Sequence, residues 1–493
     1  MPTTPAGLTP TAPTPTQLLH TATSYCAERE WDEPFPFPDA VQDYVSNDFD
    51  HFPLFYKDYP DTLARIALPA ELPVATAPLV DVLAGAADVA PVAADLAQLA
   101  RLLHLSSGVV RTSTRGNQRW LYRAAGSAGA RCPLETYVAV PDGGALPSGT
   151  FWYHPERHEL VRIGPPPVGE SPAIVVTGVP WRTGWRYRER GYRHIYWDAG
   201  TMLAQLLALA DSAGVPARLF TRFPDAEVSE LVGADGRAEF PLLVVALGSG
   251  DPALRAAGPA ARGQLDADGR EFPLITAAQH AGDRTALGEE ARRGATVPAP
   301  PGPAHTVDEI IRRRGSMRLM DRDAALPEAT LRDAMRLATR GVHVPHWVAV
   351  NAVDGIAPGL YRWPDLDTPE RAGLLRAELY RAGIEQGLPR DASFVAISAI
   401  DLAEVSDHGY REAQLFSGVV AGRLHLLAYA LGAAASGMTF RDSDIPGLLG
   451  TDLACLLWTC VGVGEYTSHR AGEPGAPAEI RTIASRMDDG AGA

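Results

Sequence analysis

The stretch Gly-Tyr-Arg-His-Ile-Tyr-Trp-Asp-Ala-Gly at residues 191–200 decides the fold, because a related stretch returns later in the chain. Residues 409–418 read Gly-Tyr-Arg-Glu-Ala-Gln-Leu-Phe-Ser-Gly, so the glycines, the tyrosine and the arginine recur 218 residues apart. Further matches at nearly the same spacing are Gly214 with Gly432, Phe223 with Phe440, Asp225 with Asp442, Leu231 with Leu448, and Gly233 with Gly450. Both copies predict a strand, a loop, a long apolar helix, a short helix and a closing strand. We interpret this order as a duplicated α+β domain.

The repeat divides the 493 residues into two tandem domains with flanking segments. A duplicated homodimer keeps its self-complementary interface, so we expect the domains to pack as an intrachain pseudo-dimer. Thr and Pro dominate the first residues and predict a disordered tail, and the aromatic residues that follow predict an arm wrapped over a domain surface. The expected segments are the tail 1–20, the arm 21–75, the first domain 76–250, a linker with an insertion 251–303, the second domain 304–472 and a C-terminal tail 473–493.

The composition is that of a globular protein, with 46% hydrophobic and 21% charged residues. The net charge of -15 predicts an acidic surface that repels phosphate backbones, which argues against a nucleic-acid partner. The chain contains no apolar run of roughly 18 residues and does not open like a signal peptide. We therefore expect a cytoplasmic protein with no membrane partner.

Local patterns predict a helix over residues 92–105, a strand over 134–140 and a long helix over 193–213. His154 and His158 have a spacing that would suit a metal on a helix, but Pro155 and the flanking alternation favour a hairpin turn, so we assign no metal. Cys455 and Cys460 follow neither a CxxC nor a zinc pattern, and we expect reduced thiols in the core.

An arginine cluster follows a predicted helix start, where Thr306 and Glu309 form a capping box. Guanidinium groups bind phosphate oxygens through paired hydrogen bonds, and a serine hydroxyl can add another. The alternative is a solvated basic helix end, stabilised by the helix dipole. The cluster comprises Arg312, Arg313, Arg314, Ser316 and Arg318.

Residues 126–130 read Gly-Ser-Ala-Gly-Ala and precede the strand at 134–140. Small residues let a backbone approach a planar ring or a phosphate closely. An ordinary tight turn is the alternative.

A third motif, Trp-Arg-Tyr-Arg-Glu-Arg-Gly-Tyr-Arg at residues 185–193, contains the best catalytic candidates. Tyr187 could accept a proton if neighbouring cations stabilise its phenolate. Arg186 cannot act as a base, because its guanidinium stays protonated, so its role would be to orient substrate or to stabilise that phenolate. The alternative is that this cationic stretch is a solvated or phosphate-facing loop.

Together these stretches resemble the nitroreductase superfamily, and specifically the SagB-like azoline dehydrogenases of ribosomal peptide biosynthesis. Residues 123–135 are similar to the family's Pro-Ser-x-Gly-Ala…Pro-x-Glu flavin loop, and residues 185–193 to its W-K-Y-x-x-R-G-Y-R, with Arg186 in place of the lysine. Residues 312–318 are similar to the Arg-x-Ser-x-Arg that opens nitroreductase domains. Residues 353–361 and 435–440 extend the resemblance, which covers about residues 50–470.

The resemblance implies two tandem nitroreductase-like domains and FMN as the cofactor, with Arg314, Ser316 and Arg318 on its phosphate arm. Gly437 and Met438, expected at the end of an apolar helix, would approach the flavin ring, although a simple helix stop is an alternative. The candidate cofactor-binding residues are Ser127, Gly129, Ala130, Arg131, Arg312, Arg314, Ser316, Arg318, Gly437, Met438 and Arg441. The candidate catalytic residues are Arg186 and Tyr187.

The two domains carry complementary parts of this motif set. The second has the arginine cluster but reads Gly-Val-His-Val-Pro at 341–345, where the small-residue loop is expected. The first has the loop but reads Asp-Val-Leu-Ala-Gly-Ala-Ala-Asp at 81–88, where the cluster is expected. We predict one composite FMN site at the pseudo-dimer interface and one degenerate site.

The function that the resemblance implies is FMN-dependent oxidation of thiazolines or oxazolines to azoles in a ribosomally synthesised peptide. The implied partners are a precursor peptide with a leader and a cyclodehydratase complex, and a further homo-oligomer is possible. One alternative is an NAD(P)H-dependent nitro or quinone reductase. Another is a catalytically degenerate flavin-fold scaffold of a peptide-modifying complex, which the Arg186 departure favours.

Overall fold

A computed structural model of the protein describes residues 12–26, 48–302 and 304–483. Residues up to 302 are called the first half here, and residues from 304 the second half. The helices of the first half are α1 (Pro15–Ala22), α2 (Leu79–Ala84), α3 (Leu96–Ser107), α4 (Pro180–Tyr187), α5 (Gly191–Ala213), α6 (Asp225–Val232) and α7 (Pro273–Ala281). Its strands are β1 (Arg65–Ala67), β2 (Val109–Arg115), β3 (Gln118–Arg123), β4 (Leu134–Val140), β5 (Gly149–His154), β6 (Glu159–Gly164), β7 (Ala173–Gly178), β8 (Ala217–Phe220) and β9 (Phe240–Leu247).

The second half has a similar set of helices and strands. Its helices are α8 (Val307–Arg313), α9 (Glu328–Ala338), α10 (Arg376–Ala382), α11 (Gly387–Asp391), α12 (Asp407–Ala430) and α13 (Ile445–Leu449). Its strands are β10 (Leu326–Pro327), β11 (His346–Val350), β12 (Val353–Asp354), β13 (Gly359–Arg362), β14 (Arg371–Ala372), β15 (Phe394–Ile400), β16 (Ala434–Met438), β17 (Ala454–Gly462) and β18 (Ala478–Glu479). Short 3-10 segments lie at Phe49–His51, Ala128–Ala130, Arg188–Arg190, Leu402–Glu404 and Asp442–Asp444.

Each half builds one antiparallel sheet of the same topology. The first sheet has the order β1-β6-β5-β4-β7-β9-β8, and the second has the order β14-β13-β11-β15-β17-β16. The series β5-β4-β7-β9-β8 therefore corresponds strand for strand to β13-β11-β15-β17-β16. This confirms the predicted duplicated α+β fold.

The two long helices α5 and α12 pack against each other at the centre of the molecule. Gly200 on α5 and Gly418 on α12 lie at the crossing, and a Cβ atom on either would overlap the backbone of the opposite helix. Both helices are buried along most of their length. The glycines that the repeat places 218 residues apart thus permit the close approach of the two halves.

Two reciprocal ion pairs reinforce this interface. Arg193 lies 2.7 Å from Asp442 of the second half, and Arg411 lies 3.1 Å from Asp225 of the first half. Tyr192 stacks on Tyr410, with ring centroids 6.4 Å apart and an angle of 8° between the planes. Each contact of the first half with the second is therefore repeated by the matching residues in the reverse direction, as a pseudo-twofold axis requires. This is the isologous contact expected of an intrachain pseudo-dimer.

The N-terminal segments differ in part from the expectation. The predicted disordered tail is wrong for its last residues, because α1 (Pro15–Ala22) is a capped helix whose Thr16 hydroxyl donates to Asp407 at 2.7 Å. Thr14 and Gln17 form its capping box, a signal that the Thr/Pro composition obscures. Residues 1–11 and the predicted arm's residues 27–47 lie outside the described residues. The described part of the arm contacts the first half through aromatic rings, including Phe52 against Trp120 and Trp185.

Several local predictions are confirmed. The strand over 134–140 is β4, the hairpin turn at 154–158 joins β5 to β6, and both Cys455 and Cys460 are buried free thiols on β17. The helix expected over 92–105 begins later, at Leu96, because the Asp95 side chain caps it. No helix in the described ranges combines the length and the apolarity that crossing a membrane requires.

Candidate functional site

A cleft opens where residues 126–130 of the first half face the segment that follows α8 of the second half. It consists of two cavities of about 170 and 270 Å³, whose walls share Gly126, Ser127, Ser316 and Arg318. Because both halves supply its walls, we call it the composite cleft. It brings together the small-residue loop and the arginine cluster, which lie nearly two hundred residues apart in sequence.

The loop at 126–130 requires its glycine at position 129. Gly129 has a φ of 58°, and a Cβ atom there would lie 2.7 Å from Tyr187 Oη and 3.0 Å from Arg186 Cδ. Ala130 and Cys132 also adopt left-handed conformations, with φ values of 54° and 50°. Such strain persists only where the surroundings hold it, and it concentrates at functional sites.

Asp198 on α5 anchors this loop. The Ser127 hydroxyl donates to Asp198 Oδ2 at 2.5 Å, and the Ala128 N–H donates to Oδ1 at 2.9 Å. Ser127 Oγ also accepts a hydrogen bond from the Cys132 N–H at 2.8 Å. A buried helix therefore holds the loop that forms the shared wall of the two cavities.

Arg314 is a buried cation with unused donors. The predicted capping box of Thr306 and Glu309 starts α8, which ends at Arg313, and Arg314 then turns inward with 2% of its surface exposed. One guanidinium nitrogen donates to the Ala124 carbonyl, while Nε and Nη1 find no acceptor among the described residues. Burial and the nearby Arg111 lower the pKa of Arg314 to about 10, so it stays charged at neutral pH. Buried donors on a charged group favour an anionic or polar ligand.

The smaller cavity is strongly cationic in an otherwise acidic protein. A Cβ atom on Gly126 would lie 3.4 Å from Arg314 Nη1, 3.6 Å from Ser316 Oγ and 3.8 Å from His425 Cε1, so three side chains of the second half converge there. The arginines on the wall of this cavity include Arg111, Arg115, Arg123, Arg314 and Arg318. This donor set suits phosphate oxygens.

The larger cavity has aromatic and polar walls that include the ionisable side chains of Arg186, Arg318 and Asp198. The half-buried Tyr187 ring stacks on His194, with centroids 4.1 Å apart and planes 14° apart. Burial, assisted by Arg190, holds the pKa of His194 well below its usual value, so the ring is neutral. His425 is also neutral, because burial and Arg314 lower its pKa to about 3, and neither of its ring nitrogens has a described partner. A planar ring would find stacking surfaces and hydrogen-bonding groups here.

The structure places most of the sequence-predicted residues on these walls. Those on the larger cavity are Ser127, Gly129, Arg186, Tyr187, Ser316, Arg318, Gly437 and Met438, and those on the smaller cavity include Ala130 and Arg314. Arg131, Arg312 and Arg441 line neither cavity.

Each of these three arginines has another partner. Arg131 is 3% exposed, and its guanidinium lies 4.6 to 4.8 Å from the ring centroids of Phe52, Trp120 and Trp185. Arg312 lies 2.5 Å from Glu473. Arg441 lies 3.7 Å from Asp444, and its backbone N–H donates to Ala382. The structure thus places these three side chains away from both cavities, because proximity in sequence does not determine the direction of a side chain, and their contacts with a cofactor stay a prediction.

The secondary structure of one predicted element also differs. Gly437 and Met438 lie on the edge strand β16, not at the end of a helix. The helix α12 ends at Ala430, and Gly432, with a φ of 82°, lets the chain turn into the strand. The two residues still reach the composite cleft, but from a sheet edge.

The cationic stretch at 182–193 is not a solvated loop at its buried positions. Arg182 lies 2.5 Å from Glu135, and Arg190 lies 2.6 Å from Asp442, with both arginines fully buried. These side chains hold the fold together. Arg186, which is exposed, and Tyr187 are the members that reach the composite cleft.

Sequence reasoning missed several polar residues on the walls. Asp198 and His194 lie on α5, and His425 lies on α12. The feature of the sequence that could have identified them is a titratable residue within a predicted helix that is otherwise apolar. Such a residue needs a partner or a function, although its location alone does not identify the partner.

Comparisons with known proteins agree with this fold. No family model matches the chain. A protein of Methanocaldococcus jannaschii that is named as a nitroreductase is 30% identical over 168 residues, which cover 31% of this chain and 80% of that protein. A crystal structure from Anabaena variabilis, described as a nitroreductase, matches 92% of this chain and all of its own with a TM-score of 0.70 and 21% identity. A chain of the Escherichia coli microcin synthetase complex with its truncated pro-peptide matches 45% of this chain and 79% of its own at 17% identity, with a TM-score of 0.27 that is too low to support a conclusion.

Proposed function

The chain belongs to the nitroreductase family, and on that premise we propose that it is an FMN-dependent oxidoreductase with its site in the composite cleft. The observation that carries the proposal is Arg314, a fully buried cation whose Nε and Nη1 point to no acceptor among the described residues. A bound phosphate would satisfy those donors. The adjoining cavity of about 270 Å³, with its aromatic walls, has room for part of a planar ring system.

The residues present fit this cofactor. Arg314, Ser316 and Arg318 would hold the phosphate arm, assisted by the other arginines of the smaller cavity. Gly126, Ser127 and Gly129 would lie against the ring, since their small side chains leave the backbone exposed to the cavity. Gly437 on the facing strand β16 would likewise let the ring lie close to the backbone.

For the substrate, we propose an azoline ring in a ribosomally synthesised peptide, which is oxidised to the corresponding azole. The support is the motif at residues 185–193 together with the position of Tyr187, whose hydroxyl lies against the loop at Gly129. The azoline would be made by a cyclodehydratase on a precursor peptide with a leader. When bound, FMN supplies the acceptor for a hydride from a ring carbon.

The chain's own residues would handle the remaining proton. Aromatisation removes a hydride from one ring carbon and a proton from its neighbour, and in this proposal Tyr187, which lies on the cavity wall, would take that proton as a phenolate. The guanidinium of Arg186 lies 5.7 Å from the centroid of the Tyr187 ring and would stabilise this negative charge. The neutral His194 ring stacks on Tyr187 and restrains it.

The first test is flavin content followed by an azoline assay. Purified protein should show flavin absorbance and release FMN on denaturation, and it should convert a synthetic thiazoline peptide to a product that lacks two hydrogen atoms by mass spectrometry. Absence of flavin would contradict the whole proposal. Turnover of NAD(P)H with a nitroarene, together with no change in the azoline peptide, would contradict the substrate and favour a general reductase.

Tyr187→Phe should lower azoline turnover by about 10²–10⁴-fold, the usual contribution of a positioned proton acceptor, while flavin content stays unchanged. Tyr192→Phe is the matched control, because it removes a buried hydroxyl outside both cavities. Equal loss in the two variants would exclude Tyr187 as the proton acceptor. A protein that binds flavin but loses nothing at Tyr187 would fit the scaffold alternative.

A further inference from the structure

Asp198 is a buried carboxylate on the wall of the larger cavity, with 4% of its surface exposed. Its two oxygens accept hydrogen bonds from Ser127 and Ala128, which belong to the loop that would lie against the cofactor ring. Within the described ranges no Lys, Arg or His lies within ion-pair distance of it. This distinguishes it from Asp442, a buried carboxylate that two arginines neutralise.

Its surroundings favour a titration near neutrality. Burial raises the pKa of Asp198 to about 7, and the hydrogen bonds from Ser127 and Ala128 only partly oppose that shift. The titratable and charged groups that face it across the cavity or behind the loop are Arg186 and Tyr187 of α4, His194 of α5, Arg318 after α8, His425 of α12, and Cys132. The two histidines are neutral because of burial, and burial raises the pKa of Cys132, so that thiol is neutral as well.

We propose that Asp198 is the proton store of the composite cleft: it holds the small-residue loop, takes up a proton when the bound flavin is reduced, and gives it up when the flavin is reoxidised. This inference rests on the proposed FMN-dependent function. The pseudo-equivalent residue in the second half is Phe416, which can neither anchor a loop by hydrogen bonds nor hold a proton.

The exchange balances in atoms and electrons. Substrate oxidation would transfer a hydride, which carries two electrons, to the bound flavin and would give the flavin one added negative charge, while Asp198 takes a proton from solvent and forms an O–H bond. The second hydrogen of the substrate would leave as a proton through Tyr187, which returns it to solvent. On reoxidation by dioxygen, the hydrogen taken from the substrate leaves as two electrons and a proton. Asp198 then releases its own proton, and dioxygen with two electrons and two protons gives hydrogen peroxide.

The physical reason is repulsion between like charges in a site of low dielectric constant. An ionised Asp198 beside the ring disfavours the added negative charge of the reduced cofactor, and reduction therefore raises the affinity of Asp198 for a proton. Uptake of that proton then couples the reduction potential to pH. A carboxylate that only anchors the loop would produce no such coupling.

The test is the midpoint potential of the protein-bound flavin, measured against pH by equilibration with a redox dye. In the unmodified protein the potential should fall more steeply with rising pH over a range that begins near the pKa of Asp198. Asp198→Asn should lack this additional slope, so that its potential matches the unmodified protein at acid pH and lies above it at alkaline pH. Asp211→Asn is the matched control, because Asp211 is another acid of α5 but pairs with Arg293 outside the cleft.

Parallel curves for the unmodified protein and Asp198→Asn would overturn the inference while leaving the proposed function intact. If Asp198→Asn does not retain flavin, the reduced-minus-oxidised infrared spectrum of the unmodified protein decides the matter. A protonated-carboxyl band should appear on reduction above the pKa of Asp198, and its absence would overturn the inference. A protein that binds no flavin would overturn the proposed function itself, and this inference with it.

Discussion

The composite cleft and its pseudo-symmetric counterpart differ in the side chains that the two long helices place on their walls. The counterpart, called the second cleft here, is a groove of about 790 Å³ lined by residues from 288–292, 341–345 and 409–416. At the spacing of the repeat, Phe416 stands in place of Asp198, Glu412 in place of His194, and Leu207 in place of His425. The linker also runs along this side, where the Ala291 N–H donates to the Leu219 carbonyl on β8 at 2.7 Å.

What the two halves share is the interface and not the site. Gly200 and Gly418 allow the helix crossing, and the pairs of Arg193 with Asp442 and Arg411 with Asp225 are reciprocal. A fused dimer needs both halves of its interface to stay folded, whereas one working site is enough for activity. This difference explains why the residues that recur in both halves lie at the interface. It also explains why the candidate cofactor-binding residues do not recur.

The largest expected effect is a complete difference in flavin occupancy between the clefts. We expect a flavin-to-protein ratio near one, because the second cleft has neither the arginine cluster nor the small-residue loop and is crossed by the linker. The measurement is the flavin released on denaturation against the protein concentration from amino-acid analysis. A ratio near two would show that the second cleft is functional.

Asp442→Asn should be the most destabilising single change at the interface, because it leaves Arg190 and Arg193 buried without a counter-ion. Breaking such a pair costs about 3–5 kcal/mol in the free energy of unfolding. Although burial alone would raise it, the two guanidinium groups hold the pKa of Asp442 well below its usual value. Its stabilising contribution is therefore present above the unfolded-state pKa and is lost as the pH falls through the native pKa. Denaturant unfolding at several pH values should show the gap to the unmodified protein closing in acid.

Asp225→Asn is the pseudo-symmetric control for that experiment. Burial raises the pKa of Asp225 to about 6 despite the opposing Arg411, and Arg411 also keeps a second carboxylate, Asp283, at 2.6 Å. A raised native pKa means that the stabilising contribution of Asp225 is present at low pH and is lost as the pH rises through about 6. The substitution should thus cost less than Asp442→Asn at neutral pH. A larger cost would contradict the asymmetry of the two ion pairs.

Arg314→Ala should weaken FMN binding by about 2–5 kcal/mol, the range for truncation of one partner of a buried charged contact. Arg312→Ala is the matched control, because Arg312 belongs to the same cluster but pairs with Glu473 and lines neither cavity. Titration of the apoproteins with FMN, followed by fluorescence quenching, gives both affinities. Equal losses would indicate that the cluster acts through its overall charge rather than through Arg314.

The sequence predicts the architecture well and the site only in part. The repeat, the strand β4 and the capping box of α8 are local patterns, so they can be identified without knowledge of packing. The composite nature of the cleft follows from the complementary losses in the two halves. The direction of each arginine side chain cannot be predicted in this way. Arg312 and Arg314 lie two residues apart, but Arg312 forms an ion pair at the surface, whereas Arg314 lies on the buried wall of a cavity. The role of Asp198 cannot be predicted from the sequence for a related reason, because only the folded chain brings residues 127–128 into contact with it.

Gly437→Ala should have the smallest effect and should separate stability from function. The Cβ atom would meet only the Trp458 carbonyl, at 4.0 Å, so β16 accepts it without a clash. Alanine in a strand is favoured over glycine by roughly 0.5–1 kcal/mol, and we expect a gain of about that size in the free energy of unfolding. The same methyl group lies on the wall of the larger cavity, so FMN affinity or turnover should fall several-fold. At the 218-residue spacing of the repeat, Leu219 of the first half occupies the equivalent place, which indicates that β8 has no comparable need to leave space. A variant that gains stability and loses no function would show that Gly437 does not face the cofactor.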